Sequence, residues 1–119
     1  MVKIVYARTN AEFLNKEYGT CYKAWMKSRW EYDRNTWVWM VRFDGQIRQD
    51  WRNRRVNDSE IWEEYVGNEP PTYKDCFEKK YRIVVEVKDM GAGRAYCVLG
   101  KFMYDPANSR SGKNVFVRV

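Results

Sequence analysis

The sequence predicts an α+β fold: one strongly bent, mainly antiparallel sheet of six or seven strands with two short helices. Three observations carry that expectation. Alternating segments rich in β-branched and aromatic residues recur at residues 2–7, 37–43, 81–88, 94–104 and 114–119. Only two stretches show a capped helical pattern, and both are short. Turn chemistry at Asp44-Gly45 and over residues 89–93 joins strands directly, without the helical crossovers that parallel strands require. Several long strands with few helices must hide their edges, so a partly closed barrel is the preferred form.

With 119 residues, 17% aromatic and 32% charged, the chain is expected to be a single domain, residues 1–119, with a core of its own. No apolar run approaches the ~20 residues of a membrane span. The opening residues are too short and too polar for a signal peptide.

Taken in order, residues 2–7 form a first strand with Val2, Ile4 and Tyr6 on one face. Thr9 or Asn10 caps a helix over residues 11–18, Glu12 places an acid in its first turn, and Gly19 closes it. Residues 21–33 read both ways: Tyr22, Ala24, Met26, Ser28, Trp30 and Tyr32 alternate, while Tyr22, Trp25, Met26, Arg29 and Trp30 trace a helical stripe. Their aromatic richness favours a strand. Residues 37–43 are the firmest strand, and Asp44-Gly45 is a strong signal for a type I′ hairpin turn. With a two-residue loop, Phe43 pairs with Gln46. Trp37, Trp39 and Val41 then share a face with Arg48 and Arg52, while Val38, Met40 and Trp51 lie on the other. A bulge near the turn would exchange those partners. Asn57-Asp58-Ser59 opens a second helix over residues 60–66, with Ile61, Trp62 and Tyr65 as its apolar stripe and Glu60, Glu63 and Glu64 as its wet one. Pro70-Pro71 follows as a rigid linker. Residues 81–88 and 94–104 are two long strands, residues 105–113 a polar loop, and residues 114–119 a last strand.

Charge and indole rings coincide. All six tryptophans fall between Trp25 and Trp62, and residues 21–56 carry nine basic side chains against four acidic ones, which leaves them +5 of the total +6. Arginine beside large flat rings suits nucleic acid, which offers phosphates to the cation and base faces to the ring. Trp37, Trp39 and Trp51 are the candidates to stack on or cage a base. Lys27, Arg29, Arg48, Arg52, Arg54 and Arg55 are the candidates for phosphates. The simpler explanation for any single tryptophan is core packing, with arginines snorkelling at its margin.

The three cysteines, Cys21, Cys76 and Cys97, show no CxxC spacing, and histidine is absent. Triads and pairs that need histidine are excluded, no metal site or cofactor is expected, and reduced thiols favour a cytoplasmic setting. Glu86-Val87-Lys88 matches the (D/E)xK half of the PD-(D/E)xK nuclease signature, with Asp75 as an upstream acid. Alternating charge on the wet face of a strand explains it without chemistry. Gly91-Ala92-Gly93-Arg94 lacks the following GK[ST] of a P-loop and reads as a turn.

The cadence Leu99-Gly-Lys-Phe-Met-Tyr-Asp, followed by Asn108-Ser and Val115-Phe-Val-Arg-Val, resembles the closing strands of small PUA-like β-barrels. That superfamily includes the SRA and EVE modules of restriction and modification systems. The resemblance covers about a fifth of the chain. It implies a pseudo-barrel with an aromatic cage for a flipped or modified base.

The leading expectation is therefore a non-enzymatic nucleic-acid-binding module, standing alone or assisting a defence or modification system. A protein-interaction or inhibitor module using the same surface is the second reading, since Trp, Tyr and Arg also dominate protein hot spots. A metal-dependent nuclease using Glu86 and Lys88 is the third.

Overall fold

The computed structural model describes residues 2–70 and 79–119. The Pro71 half of the expected linker, Asp75 and Cys76 lie outside the described residues. The elements run β1 (Lys3–Ala7), α1 (Asn10–Tyr18), β2 (Arg29–Asp33), β3 (Thr36–Val41), β4 (Trp51–Asn57), β5 (Glu60–Tyr65), β6 (Tyr81–Asp89), β7 (Arg94–Tyr104) and β8 (Lys113–Arg118). They build an α+β fold on one sheet ordered β2-β3-β6-β7-β8-β5-β4, with β1 attached to β7. The β3–β6 pair is parallel, and the other described pairs are antiparallel.

Helix α1 forms where its caps demand. Thr9 is extended and its hydroxyl accepts from Glu12 N at 3.1 Å, while Gly19 ends the helix at φ 69°. Phe13 and Leu14 are fully buried against the sheet, and Phe13 stacks on Tyr96 at 4.7 Å. Val38, Met40, Val85 and Val87 belong to this layer. The opposite face of the sheet carries the second core, with Trp39, Val41, Ile61, Val84, Leu99, Phe102 and Phe116.

Strand β7 is where the sheet divides. Its first half pairs with β1 and its last three residues with β8, both along the edge opposite β6. Val84 faces Gly100 and Val85 faces Val98, so Leu99 is an extra residue in the ladder. This bulge explains why the expected inward set of β7 is split. Tyr96 and Val98 face the helix layer, whereas Phe102 and Tyr104 join the other core. Gly100 sits at φ 130°, a backbone conformation that residues with a Cβ rarely adopt, which favours glycine at this corner.

Beyond the corner the sheet curls back on itself. Strands β4 and β5 lie four and three places from β6 in the order, yet Arg55 reaches Glu86 at 3.6 Å and Arg82 reaches Glu63 at 3.8 Å. The sheet is strongly bent but its ends, β2 and β4, do not pair.

Two expectations are corrected. Asp44-Gly45 does not make the hairpin: β3 pairs with β2 and β6, while β4 pairs with β5. The physical reason is burial. Strand β3 is buried on both faces and takes an interior place, whereas β4 is mostly half-exposed and suits an edge. Residues 60–66 are not a helix, since β5 occupies Glu60–Tyr65. Glu63, expected to be wet, is 5% exposed because Asn114 Nδ2 donates to it at 3.0 Å and Arg82 stands nearby. Buried partners make an apparently polar alternation a core-facing one. One helix, not two, stands among the described residues.

Candidate nucleic-acid interface

The concave side of the bent sheet opens into a cleft of about 690 Å³. Strand alternation selects its inner lining. Trp51, Asn53 and Arg55 pair with Tyr65, Glu63 and Ile61, so these three β4 side chains turn toward the concave core. Trp51 is half-buried and packs edge-on against Tyr65 at 5.2 Å. It lines the cleft with Asn53, whose Oδ1 is buried and accepts no hydrogen bond among the described residues.

A tight turn sets the mouth. Arg48 and Trp51 exchange two backbone hydrogen bonds, at 2.8 and 2.9 Å, around Gln49 and Asp50. Those two residues have φ of 52° and 66°, the pattern of a I′ turn built without glycine. Arg48 and Trp51 are thereby held side by side. Arg48 is clasped further: its guanidinium donates to both carboxylate oxygens of Asp44, at 3.1 and 2.8 Å, and to Gln46. That clasp holds the Asp44 carboxyl down at about 2.

Five cationic side chains line the cleft, Lys27, Arg29, Arg42, Arg48 and Arg94, against one acid, Glu63. Arg42 and Arg94 converge on a single carboxylate, Asp89, at 2.8 and 3.8 Å. Met26, 92% exposed, adds an apolar contact at the rim.

The residues singled out from sequence divide into groups. Lys27, Arg29, Arg48, Trp39 and Trp51 come together at the cleft. Trp39, however, is only 3% exposed, with Arg82 at 4.6 Å and Phe116 at 5.6 Å from its ring. It is a wall of the cleft and not an exposed stacking surface, because an interior strand turns it into the core. Trp37 is half-buried, with Arg29 at 5.4 Å and Lys79 at 4.8 Å from its ring. Arg52 and Arg54 point to the outer face with Trp62 and Glu64. They approach Glu64 at 3.6 and 3.7 Å, and Arg54 lies 4.6 Å over the Trp62 ring. Arg55 is turned inward and engages Asp58 at 3.0 Å as well as Glu86. The (D/E)xK acid, Glu86, is therefore held in an ion pair. Among the described residues no group of three or more Cys, Asp or Glu side chains is arranged to hold a metal ion.

Sequence reasoning missed Arg42, Arg94, Gln49 and Asn53. Arg94 carried a signal, as the basic residue closing the glycine-rich turn. The others gain their position only from the curl of the sheet.

The fold and cleft define a bent-sheet module with a basic, partly aromatic opening. Among solved structures the chain is similar to the 5-hydroxymethylcytosine-specific restriction enzyme AbaSI, with a TM-score of 0.67 and 20% identity over 97% of this chain. The chain spans 38% of the length of that enzyme. At this identity the likeness is one of fold. No protein-family model matches the sequence. No curated protein matches it either. No helix among the described residues is long and apolar enough to cross a membrane.

Proposed function

We propose that this chain is a nucleic-acid-binding module whose cleft takes up a base displaced from its stack and holds the adjoining phosphates on its basic rim. The observation that carries this reading is the lining of the cleft: five cations against one acid, around a half-buried indole, in a space of about 690 Å³. That volume falls within the roughly 300–1,000 Å³ typical of small-ligand sites, and is ample for a base. Lys27, Arg29 and Arg48 supply phosphate contacts, and Arg42 and Arg94 extend the positive rim. Trp51 offers the ring against which a base stacks.

Two further points support the reading. The fold is shared with part of a restriction enzyme specific for a modified base. The closing strands also carry the resemblance to PUA-like modules, for which a caged base is the implied ligand. Both support our reading of a role beside a restriction or modification activity.

The test is oligonucleotide affinity as a function of salt. Binding is expected to weaken linearly on a log–log scale, with a slope of about −0.9 per phosphate neutralised on duplex and about −0.7 on single strands. Trp51→Ala is expected to weaken binding by about tenfold at constant slope, since stacking is not a counterion effect. No measurable binding at about 50 mM salt, where counterion release still favours association, would turn attention to a protein partner.

A further inference from the structure

A second, smaller hollow of about 290 Å³ adjoins the cleft, and Arg94 lines both. Tyr6 and Met90 both border it and are 63% and 59% exposed, large apolar groups left in water around one hollow. Three cations surround them, Arg8, Lys16 and Arg94, against the single acid Glu12. Glu12 is already engaged by Lys16 at 3.2 Å, and Lys16 also donates to Tyr6 O at 2.8 Å. Arg8 forms no ion pair among the described residues. Arg94 gives one N–H to the Tyr96 hydroxyl and lies 3.8 Å from Asp89. Its five-donor fork retains others for a ligand.

We infer that this hollow is a second nucleotide subsite, in which Tyr6 and Met90 form a platform for an unstacked base and Arg8 and Arg94 hold its phosphate. It rests on the reading of the cleft as a nucleic-acid site and extends it to the neighbouring nucleotide of a single-stranded segment. Continuity decides the occupant: a chain of phosphates leaving the cleft past Arg94 meets Arg8 next. The chemistry decides the class. An exposed ring and thioether around the same hollow as the Arg8 guanidinium, which has no ion pair among the described residues, fit a ligand that is flat and apolar on its faces and anionic on its backbone. The backbone beneath both residues is set: Tyr6 lies in β1 opposite Ala95, and Met90 in the turn in which Met90 N donates to Gly93 O at 2.8 Å.

The experiment is the affinity of a fluorescent single-stranded 12-mer of thymidylate, roughly one OB-fold site in length, for the wild type and for Arg8→Gln, Tyr6→Ala, Tyr6→Phe and Lys27→Ala. Arg8→Gln is expected to lower the salt slope by about 0.7, one phosphate's worth on a single strand. Tyr6→Ala is expected to weaken binding by about tenfold at unchanged slope, and Tyr6→Phe to restore it. The exposed position of Tyr6 keeps its variants folded, which thermal unfolding checks. If Lys27→Ala weakens binding while the Arg8 and Tyr6 variants bind as the wild type does, the second subsite is refuted and the cleft stands. If the wild type binds no 12-mer at low salt, the second subsite is refuted, and the affinity for duplex decides the cleft reading separately.

Discussion

The guanidinium of Arg82 lies 4.6 Å over the indole ring of Trp39, and Arg82 is itself only 2% exposed. A buried cation packed on a buried ring makes Trp39 a member of the core. Trp39→Ala is therefore expected to cost about 3–5 kcal/mol of stability, the range for deleting a large buried aromatic. Chemical denaturation measures it. A variant that keeps native stability while losing oligonucleotide affinity would show that the ring works at the surface.

The Gln49-Asp50 turn is strained, because both residues sit at positive φ with a Cβ present. Asp50→Gly is expected to stabilise the protein by about 1 kcal/mol, the left-handed penalty less the entropy that glycine adds to the unfolded chain. An unfolding midpoint that fails to rise would mean that the Asp50 side chain holds the turn by contacts worth as much as the strain.

What the sequence made legible was local. Helix α1 announced itself through Thr9 and Gly19, whose capping roles involve only neighbours in the chain. Strands β6 and β7 needed only alternation and a glycine-rich turn, and Asp89 does pair with Arg94 across it. Pairing choices over long range were not legible. Asp44-Gly45 carried the stronger turn signal, yet the ladder closed at Gln49-Asp50, because β3 had both faces to bury and went to the middle of the sheet. Residues 60–66 read as a helix because nothing nearby declares that Glu63 meets Asn114 and Arg82 inside the concave core. The cleft was half legible. The cluster of rings and cations named Lys27, Arg29, Arg48 and Trp51, while Arg42 and Arg94 joined them only once the sheet had curled.

Alkaline pH should find Tyr18. Burial raises its phenol from 10.0 to about 12, with Glu17 adding to the effect. A raised folded value means that the contribution is fully present below pH 10 and is lost as pH climbs toward 12, where the unfolded chain ionises first. Tyr18→Phe is expected to flatten the fall in stability between those values. A fall as steep as that of the wild type would assign it to other groups.

Acid pH should find the Asp44 clasp on Arg48. The folded carboxyl sits at about 2, below its ordinary value of 3.8, chiefly through the Arg48 hydrogen bonds. The clasp therefore stays ionised above pH 4 and lets go only as pH falls through about 2. Carboxyl NMR of Asp44 is expected to show its midpoint there, and Arg48→Ala to move it upward. A midpoint near 4 in the wild type would mean that Arg48 is unclasped in solution and not prepositioned at the cleft.

The two faces of β4 give the sharpest contrast for binding. Arg52 and Arg54 alternate away from the cleft, share Glu64, and Arg54 is spent on the Trp62 ring, where Lys113 also approaches to 3.5 Å. Lys27 and Arg48 line the opening instead. Replacing Arg52 and Arg54 together by Ala is thus expected to leave the salt slope of duplex binding within about 0.3 of the wild type. Replacing Lys27 and Arg48 together should lower it by about 1.8, two phosphates' worth. Both pairs remove the same net charge, so a difference between them reports position and not overall potential. Equal losses would mean that the nucleic acid is drawn to the whole basic half of the molecule, and the reverse order would move the contact surface to the outer face of β4 and β5.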